Sequence, residues 1–147
     1  MYQAVISNLD ENDAVIKSAA VADYKPKTYS DNKIKKKDGD LVIELDRNKD
    51  IAYEIGKIKN DKILVGFAAE TNDIIENAKA KIAKKNMDFI VANNLKESGA
   101  GFGTDTNIVS IIEKDGSMKE YPMMTKEEVA SVILDKIKTL LDNKSSL

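Results

Sequence analysis

The chain has 147 residues, 42% of them apolar and 33% charged, with a net charge of −2. That is the size and mixture of one folded domain with a real core, not of a disordered tail or a strongly basic nucleic-acid binder. Cysteine and histidine are both absent, which excludes disulfides, thiolate or imidazole metal sites, cysteine nucleophiles and Ser-His-Asp chemistry.

Residues 1–9 read as a short helix or the end of one, with no N-cap before it, so the natural element is expected to begin upstream. Asp13–Ala22 is largely apolar without strict alternation, the pattern of a buried, central parallel strand. Asp23-Tyr24-Lys25-Pro26 leaves that strand end. Residues 27–40 are polar and hold five lysines, four of them in Lys33-Ile34-Lys35-Lys36-Lys37. The segment reads as a mobile loop. Leu41–Leu45 reads as a second strand.

Residues 49–58 have the spacing of an amphipathic helix that buries Ile51, Ile55 and Ile58. A third strand follows at 62–68. A helix over 73–85 is expected to bury Ile75, Ala78 and Ile82, and a fourth strand spans 88–92. After a glycine-rich turn at 98–103, residues 107–113 and 117–121 form a hairpin around Asp115-Gly116. Thr125-Lys126-Glu127-Glu128 is a capping box. It opens a last helix with Val129, Val132, Ile133, Ile137, Leu140 and Leu141 inward, fraying after Asp142. This order predicts a single α/β domain over 1–147. The fold is an open, mostly parallel, Rossmann-like three-layer sandwich with a late β-hairpin. No apolar run is long enough to span a membrane, and no signal peptide is evident, so the cytoplasm is the expected compartment.

Ligands of open α/β sheets bind beyond the carboxyl ends of the strands. Three such ends carry small residues followed by a polar group: 19–26 with Asp23, 66–71 with Glu70, and 90–94 with Asn93. They read either as tightly packed strand ends or as one rim of a site. The lysine run reads either as a solvated loop or as a flap that closes over phosphates. Lys81 and Lys85 lie i, i+4 on one helix face. Asn48-Lys49-Asp50-Ile51 sits at a strand-to-helix turn, where Asn48 serves as N-cap or the free N–H groups meet an anion. Gly99-x-Gly101-x-Gly103 leads into a hairpin, not a helix, and so is turn chemistry and not a dinucleotide fingerprint.

Six runs, in order, carry a resemblance: AAVADYKP (19–26), KIKK (33–36), NKDI (48–51), GFAAET (66–71), AKAKIAKKNMDFIVAN (78–93) and GFGTDTN (101–107). Together the chain resembles the phosphopantothenate–cysteine ligases, which in most bacteria form the C-terminal part of a bifunctional coenzyme A biosynthesis flavoprotein. The resemblance implies that 4′-phosphopantothenate and cysteine are joined through an acyl-cytidylate made from CTP, with Mg²⁺ assisting. It implies that Asp23 sits at the CTP and metal site, and that Lys17, Ser18, Ala19, Asn48, Lys49, Asp50 and Ile51 contact the nucleotide. Phe67 would pack beside the cytosine or ribose, and Lys81 and Lys85 would bind the triphosphate or nucleotide. Lys33 matches the flap lysine that stabilises the acyl-cytidylate, supported by Lys35 and Lys36.

Two departures accompany the resemblance. Lys49 stands where a proline is usual. The family also carries a further stretch before the position of Met1, roughly half this chain's length on the scale of domain anatomy, with an Asn-x-Ser-Ser-Gly segment for the acid substrate. The chain is therefore expected to be the CTP-binding part of the ligase, truncated on its N-terminal side and inactive alone. No flavin is expected on it, nor nucleic acid or membrane as partner. It is expected to pair as a homodimer or with the missing part. The alternative is a non-catalytic nucleotide-binding or assembly module.

Overall fold

A computed structural model describes residues 1–35, 39–70, 74–94 and 105–145. They form two compact units, Met1–Ser18 with Ile51–Leu147, and Ala19–Asp50.

The larger unit begins with α1 (Tyr2–Ser7) and strand β1 (Ala14–Lys17). The smaller unit contributes β2 (Tyr24–Pro26) and β3 (Leu45–Arg47). The chain continues through α2 (Ile51–Ile58), β4 (Ile63–Glu70), α3 (Ile74–Lys85) and β5 (Phe89–Asn94). It ends with β6 (Thr106–Asn107), β7 (Val109–Glu113), β8 (Met118–Glu120), β9 (Met124–Thr125) and α4 (Lys126–Ser145).

The main sheet has five strands in the order β1-β4-β5-β7-β8. β1, β4 and β5 run parallel, while β7 and β8 add antiparallel to the far side. Alternation along the central strands divides the core into two faces. Ile63, Val65, Phe89, Val91, Val109 and Ile111 point to one face and pack against Val129, Ile133 and Ile137 of α4. Leu64, Ile90 and Ile112 are also fully buried and alternate with them, so they face the opposite side, where α2 and α3 contact β4 and β5. The expected three-layer α/β architecture is therefore present in this unit. Each such side chain contributes about 1.5–3 kcal/mol when fully buried.

Local signals fix several elements. Thr125 and Glu128 form the expected capping box: the Glu128 N–H donates to Thr125 Oγ1 at 3.2 Å and the Thr125 N–H donates to Glu128 Oε2 at 2.7 Å. The β7–β8 hairpin turns at Asp115-Gly116, with Gly116 at φ 86°. There the Ser117 side chain and its N–H, 2.8 Å from Asp115 Oδ1, hold the Asp115 carboxyl below the usual carboxylate range.

Other expectations are corrected. The 13–22 strand closes after Lys17, and β1 is the edge of the sheet among the described residues, with its side chains half-buried or, at Ile16, exposed. Asp23–Pro26 is not an exit from that strand, because Tyr24–Pro26 pairs antiparallel with Leu45–Arg47 in a separate two-stranded ribbon. Residues 41–44 carry no regular structure, and Leu41, Val42 and Ile43 are exposed, so the apolar run there does not enter the main sheet. Ile58 and Ile75 are exposed too, because the two helices turn those positions away from β4 and β5. α4 continues past Asp142 to Ser145, where Lys144 Nζ donates to the Asp61 carbonyl at 2.7 Å. The turn at 98–103 lies outside the described residues.

The smaller unit is a ribbon whose described side chains are exposed or half-buried. The Arg47 guanidinium lies 5.6 Å from the Tyr24 ring centroid and donates to its hydroxyl at 3.2 Å. Lys27 pairs with Glu44 at 3.1 Å. At the base of the ribbon the Asn48 N–H donates to the Asp23 carbonyl at 2.7 Å, and its side-chain amide donates to the Ala22 carbonyl at 2.8 Å.

At the amino ends of β4 and β5 a lysine is buried. Lys59, only 3% exposed, donates to Asp88 Oδ2 at 2.8 Å and to the Lys62 carbonyl at 2.9 Å. The Leu64 N–H donates to the same Oδ2 at 2.7 Å, while the Asp88 N–H donates to the Leu64 carbonyl at 2.8 Å. Lys114 adds a second cation 3.5 Å from Asp88 Oδ1. Burial pushes the Asp88 carboxyl up, but the hydrogen bonds from Lys59 and Leu64 and the two lysine charges outweigh it and hold it below the usual range.

Removing one partner of a buried pair strands the other charge, so Asp88→Ala should lower the unfolding free energy by about 3–5 kcal/mol in urea titration. Because the Asp88 pKa is lower folded than unfolded, its stabilisation is complete at neutral pH. It is lost as pH falls below the unfolded carboxylate value of about 3.9 and through the folded one. Asp88→Asn should therefore flatten the acid limb of the stability curve, and an unchanged limb would contradict the assignment. At Gly56 an added Cβ would lie 2.0 Å from the Lys85 carbonyl oxygen of α3. Alanine would ordinarily favour a helix, yet Gly56→Ala should destabilise by about 1–3 kcal/mol because backbone must move. A melting temperature equal to or above the parent's would count against that contact.

Candidate functional site

The parallel register sets the carboxyl ends of β1, β4 and β5 side by side. Lys17 pairs with Gly66, the next residue Phe67 pairs with Val91, and Ala69 pairs with Asn93. Of the rim read from the sequence, Asp23, Glu70 and Asn93, only Asn93 has its side chain placed within the larger unit: Asp23 belongs to the ribbon unit and Glu70 is placed by its backbone alone, while Lys17 and Phe67 lie at neighbouring strand ends. Lys17, the last residue of β1, is half-buried and Ser18 is exposed. Phe67 packs its ring against the core beneath α4.

A cavity of about 560 Å³ opens at this end. Ile16, Ser18, Phe67 and Asn93 line it from the strands, and Val129, Ala130, Ile133 and Leu134 line it from α4. Lys126, the first residue of α4, and Asn107 of β6 complete it. Sequence reasoning missed the contribution of α4, because its capping box and apolar periodicity spoke only of packing. It also passed over Asn107, which stands at the end of the GFGTDTN run. A larger cavity of about 670 Å³ lies away from the strand carboxyl ends, beside Asp10, Asp13 and Asn60. Its lysines are committed to backbone: Lys62 Nζ donates to the Asp10 and Asn12 carbonyls at 3.1 and 2.9 Å.

The remaining expected residues fall into two groups. Ile51 opens α2 and is buried, so its backbone alone is available to a ligand. Lys81 and Lys85 lie on α3, the first exposed and the second half-buried, and both are engaged in interactions within the protein. Ala19, Asp23, Lys33 and Lys35 belong to the ribbon unit, all exposed. Asn48, Lys49 and Asp50 belong to it as well. Of the two readings of Asn48, the structure shows its amide N–H₂ holding the Ala22 carbonyl. Lys36 lies outside the described residues, and Glu70 is placed by its backbone as the last residue of β4.

For a divalent cation the relevant group is Asp23. Among the described residues no three His, Cys, Asp or Glu side chains come together as a cage. One exposed carboxylate fits Mg²⁺, which keeps waters and takes one or two carboxylates with substrate phosphates completing its shell. No helix among the described residues is long and apolar enough to cross a membrane.

Comparison with known proteins gives the family. Residues 1–141 match the family model described as the DNA/pantothenate metabolism flavoprotein C-terminal domain. The chain is 54% identical over 140 residues to the coenzyme A biosynthesis bifunctional protein CoaBC of Bacillus subtilis (strain 168), covering 95% of this chain and 34% of that protein. It is 48% identical over 142 residues to a prokaryotic protein named cysteine/cysteine sulfinic acid decarboxylase, covering 96% of this chain and 40% of that one. Its fold superimposes with a TM-score of 0.76 and 43% identity on the crystal structure of the C-terminal domain of a CoaBC protein, covering 97% of this chain and 63% of that one. The chain thus spans between about a third and two fifths of the curated relatives it matches. With its parallel sheet, its motif order and its match over 1–141, the chain belongs to the DNA/pantothenate metabolism flavoprotein C-terminal domain family.

Proposed function

We propose that this chain supplies the CTP-binding part of a phosphopantothenate–cysteine ligase in coenzyme A biosynthesis. The observation that carries the reading is the 54% identity to the Bacillus subtilis CoaBC protein over nearly the whole chain. The parallel strands that bring Lys17, Gly66 and Phe67 together at their carboxyl ends support it, since that is where open α/β sheets hold nucleotides.

In this reading a carboxylate oxygen of 4′-phosphopantothenate attacks the α-phosphorus of CTP. A carboxyl–phosphorus bond forms and pyrophosphate leaves. The cysteine amine then attacks the acyl carbon, CMP leaves with the acyl-bond electrons, and the amine gives up a proton. Neither step requires histidine or cysteine on the protein. Both require that phosphate charge be neutralised.

Lys33 takes that task at the acyl-cytidylate, with Lys35 and Lys36 beside it in sequence. Lys81 and Lys85 meet the triphosphate or nucleotide, and Phe67 packs against the cytosine or ribose. Lys17, Ser18, Ala19 and the Asn48–Ile51 turn position the nucleotide. Asp23 would hold Mg²⁺, which when bound supplies charge neutralisation at the phosphates. The reaction needs no flavin from this chain. The cytoplasm, a homodimer and inactivity of the isolated chain belong to the same reading.

A second reading is favoured by one observation. Leu41, Val42, Ile43 and Leu45 are each more than half exposed, a surface suited to assembly without catalysis.

Calorimetry with CTP and Mg²⁺ separates nucleotide binding from none. Saturable heat is expected, and no binding at millimolar CTP would contradict the nucleotide role. In the longer protein that carries this domain, Lys33→Ala should cut amide formation severely, by about 10²-fold or more, with acyl-cytidylate accumulating. Unchanged turnover would favour the assembly reading.

A further inference from the structure

The cavity at the strand carboxyl ends contains a pair of amides whose orientation is dictated by the backbone. Asn107 is buried at 8% exposure. Its Oδ1 accepts the Ile108 N–H at 3.0 Å, and its Nδ2 donates to Asn93 Oδ1 at 3.1 Å. An N–H can meet only an acceptor, so Ile108 fixes which way Asn107 faces. Asn107 then presents N–H to Asn93, so Asn93 must answer with oxygen. The Asn93 amide nitrogen is thereby turned away from Asn107, and among the described residues it makes no hydrogen bond. Asn93 lines the cavity. We infer that Asn93 is a fixed hydrogen-bond donor for a carbonyl oxygen of the bound ligand, and that Asn107 is the positioning residue that fixes it.

The surroundings define the ligand portion. Ile16, Phe67, Val129, Ile133 and Leu134 make the walls apolar. Besides the two asparagines, the polar lining consists of Ser18 and the exposed Lys126. An aliphatic segment carrying an uncharged amide carbonyl suits such walls, whereas a triphosphate would meet Lys126 as the one cation of this lining among the described residues and belongs outside the cavity. The volume of about 560 Å³ accommodates a small organic acid amide. The Asn93 amide nitrogen facing inward donates to a carbonyl and rejects a donor at the same position, because an unpaired buried donor is costly. On the ligase reading this segment is the amide-bearing arm of the acid substrate. The inference rests on that reading only for the choice of probe.

The test is side-chain amide spectroscopy on the ¹⁵N-labelled chain, titrated with D-pantothenate, which has the amide arm and no phosphate. The Asn93 side-chain NH₂ pair should shift saturably. Asn107→Asp keeps an acceptor for Ile108 but faces Asn93 with oxygen, so Asn93 should turn its nitrogen inward and offer oxygen to the cavity. Pantothenate affinity should then fall about five- to tenfold, as for one lost hydrogen bond. Asn93→Asp, at a half-buried position, removes the donor directly and should match that loss with the backbone fingerprint preserved; it decides the matter if Asn107→Asp fails to fold. An Asn93 NH₂ pair that ignores pantothenate, or an Asn93→Asp protein that binds it as the parent does, would overturn the assignment. CTP with Mg²⁺, titrated into the same samples, reports on the ligase reading separately. Loss of the CTP response with the pantothenate response intact would reject that reading and leave the amide site standing.

Discussion

The register of the sheet depends on a lysine buried beside an aspartate. Lys59 follows α2, reaches under the sheet's amino edge, and meets an Asp88 oxygen that also accepts the Leu64 N–H. The Asp88 N–H returns a bond to the Leu64 carbonyl, so β4 and β5 are clamped where they start. A strand slipped by one residue would exchange its inward and outward side chains. It would also break this clamp and strand a charge in a nearly dry position. With the amino ends fixed, the pleat carries Gly66, Phe67 and Asn93 to the opposite end in a set relation, and there the cavity opens. The ion pair is thus remote from any ligand, and its effect on the site passes through the strands.

The local grammar of the sequence specified much of this. The capping box at Thr125 and the Asp115-Gly116 turn are short-range devices whose partners lie within a few residues. They were readable without the fold. β4 and β5 were readable because long apolar runs bounded by polar residues have few alternatives in an α/β chain. Leu41–Leu45 has the same composition as a buried strand yet stays exposed; among the described residues its backbone meets the ribbon through Glu44 and Leu45 alone. Composition cannot tell a strand that finds a sheet from one that does not. Ile58 and Ile75 failed for a related reason: helical spacing gives a stripe, and the packing angle decides how much of it is covered.

The site was legible in outline and not in detail. Small residues at the ends of β4 and β5 mark the carboxyl edge, and the parallel pairing makes those two ends neighbours, whereas the 19–26 run belongs to the ribbon unit. Lys59 escaped notice because a lysine between a helix and a strand is ordinarily solvated; only the distant Asp88 makes its burial tolerable. Asn107 escaped because it reads as the first residue of the hairpin strand over 107–113. Its role depends on Asn93, 14 residues earlier and on another strand. The ribbon residues Asp23 and Lys33 are tied to chemistry by motif, while Ser18, Phe67 and Asn93 are tied to a cavity by geometry. Family thus names residues of the ribbon unit, and shape names the carboxyl ends of β1, β4 and β5 in the larger unit.

That the strand carboxyl ends hold the nucleotide is the central claim, and backbone amide shift mapping with CTP and Mg²⁺ tests it most directly. The account predicts that the perturbed amides cluster at Lys17–Ser18 and at Gly66–Ala68, with the Lys59–Lys62 turn at the other end unaffected. Saturable shifts confined to the amino ends of the strands, or none at any CTP concentration, would contradict it.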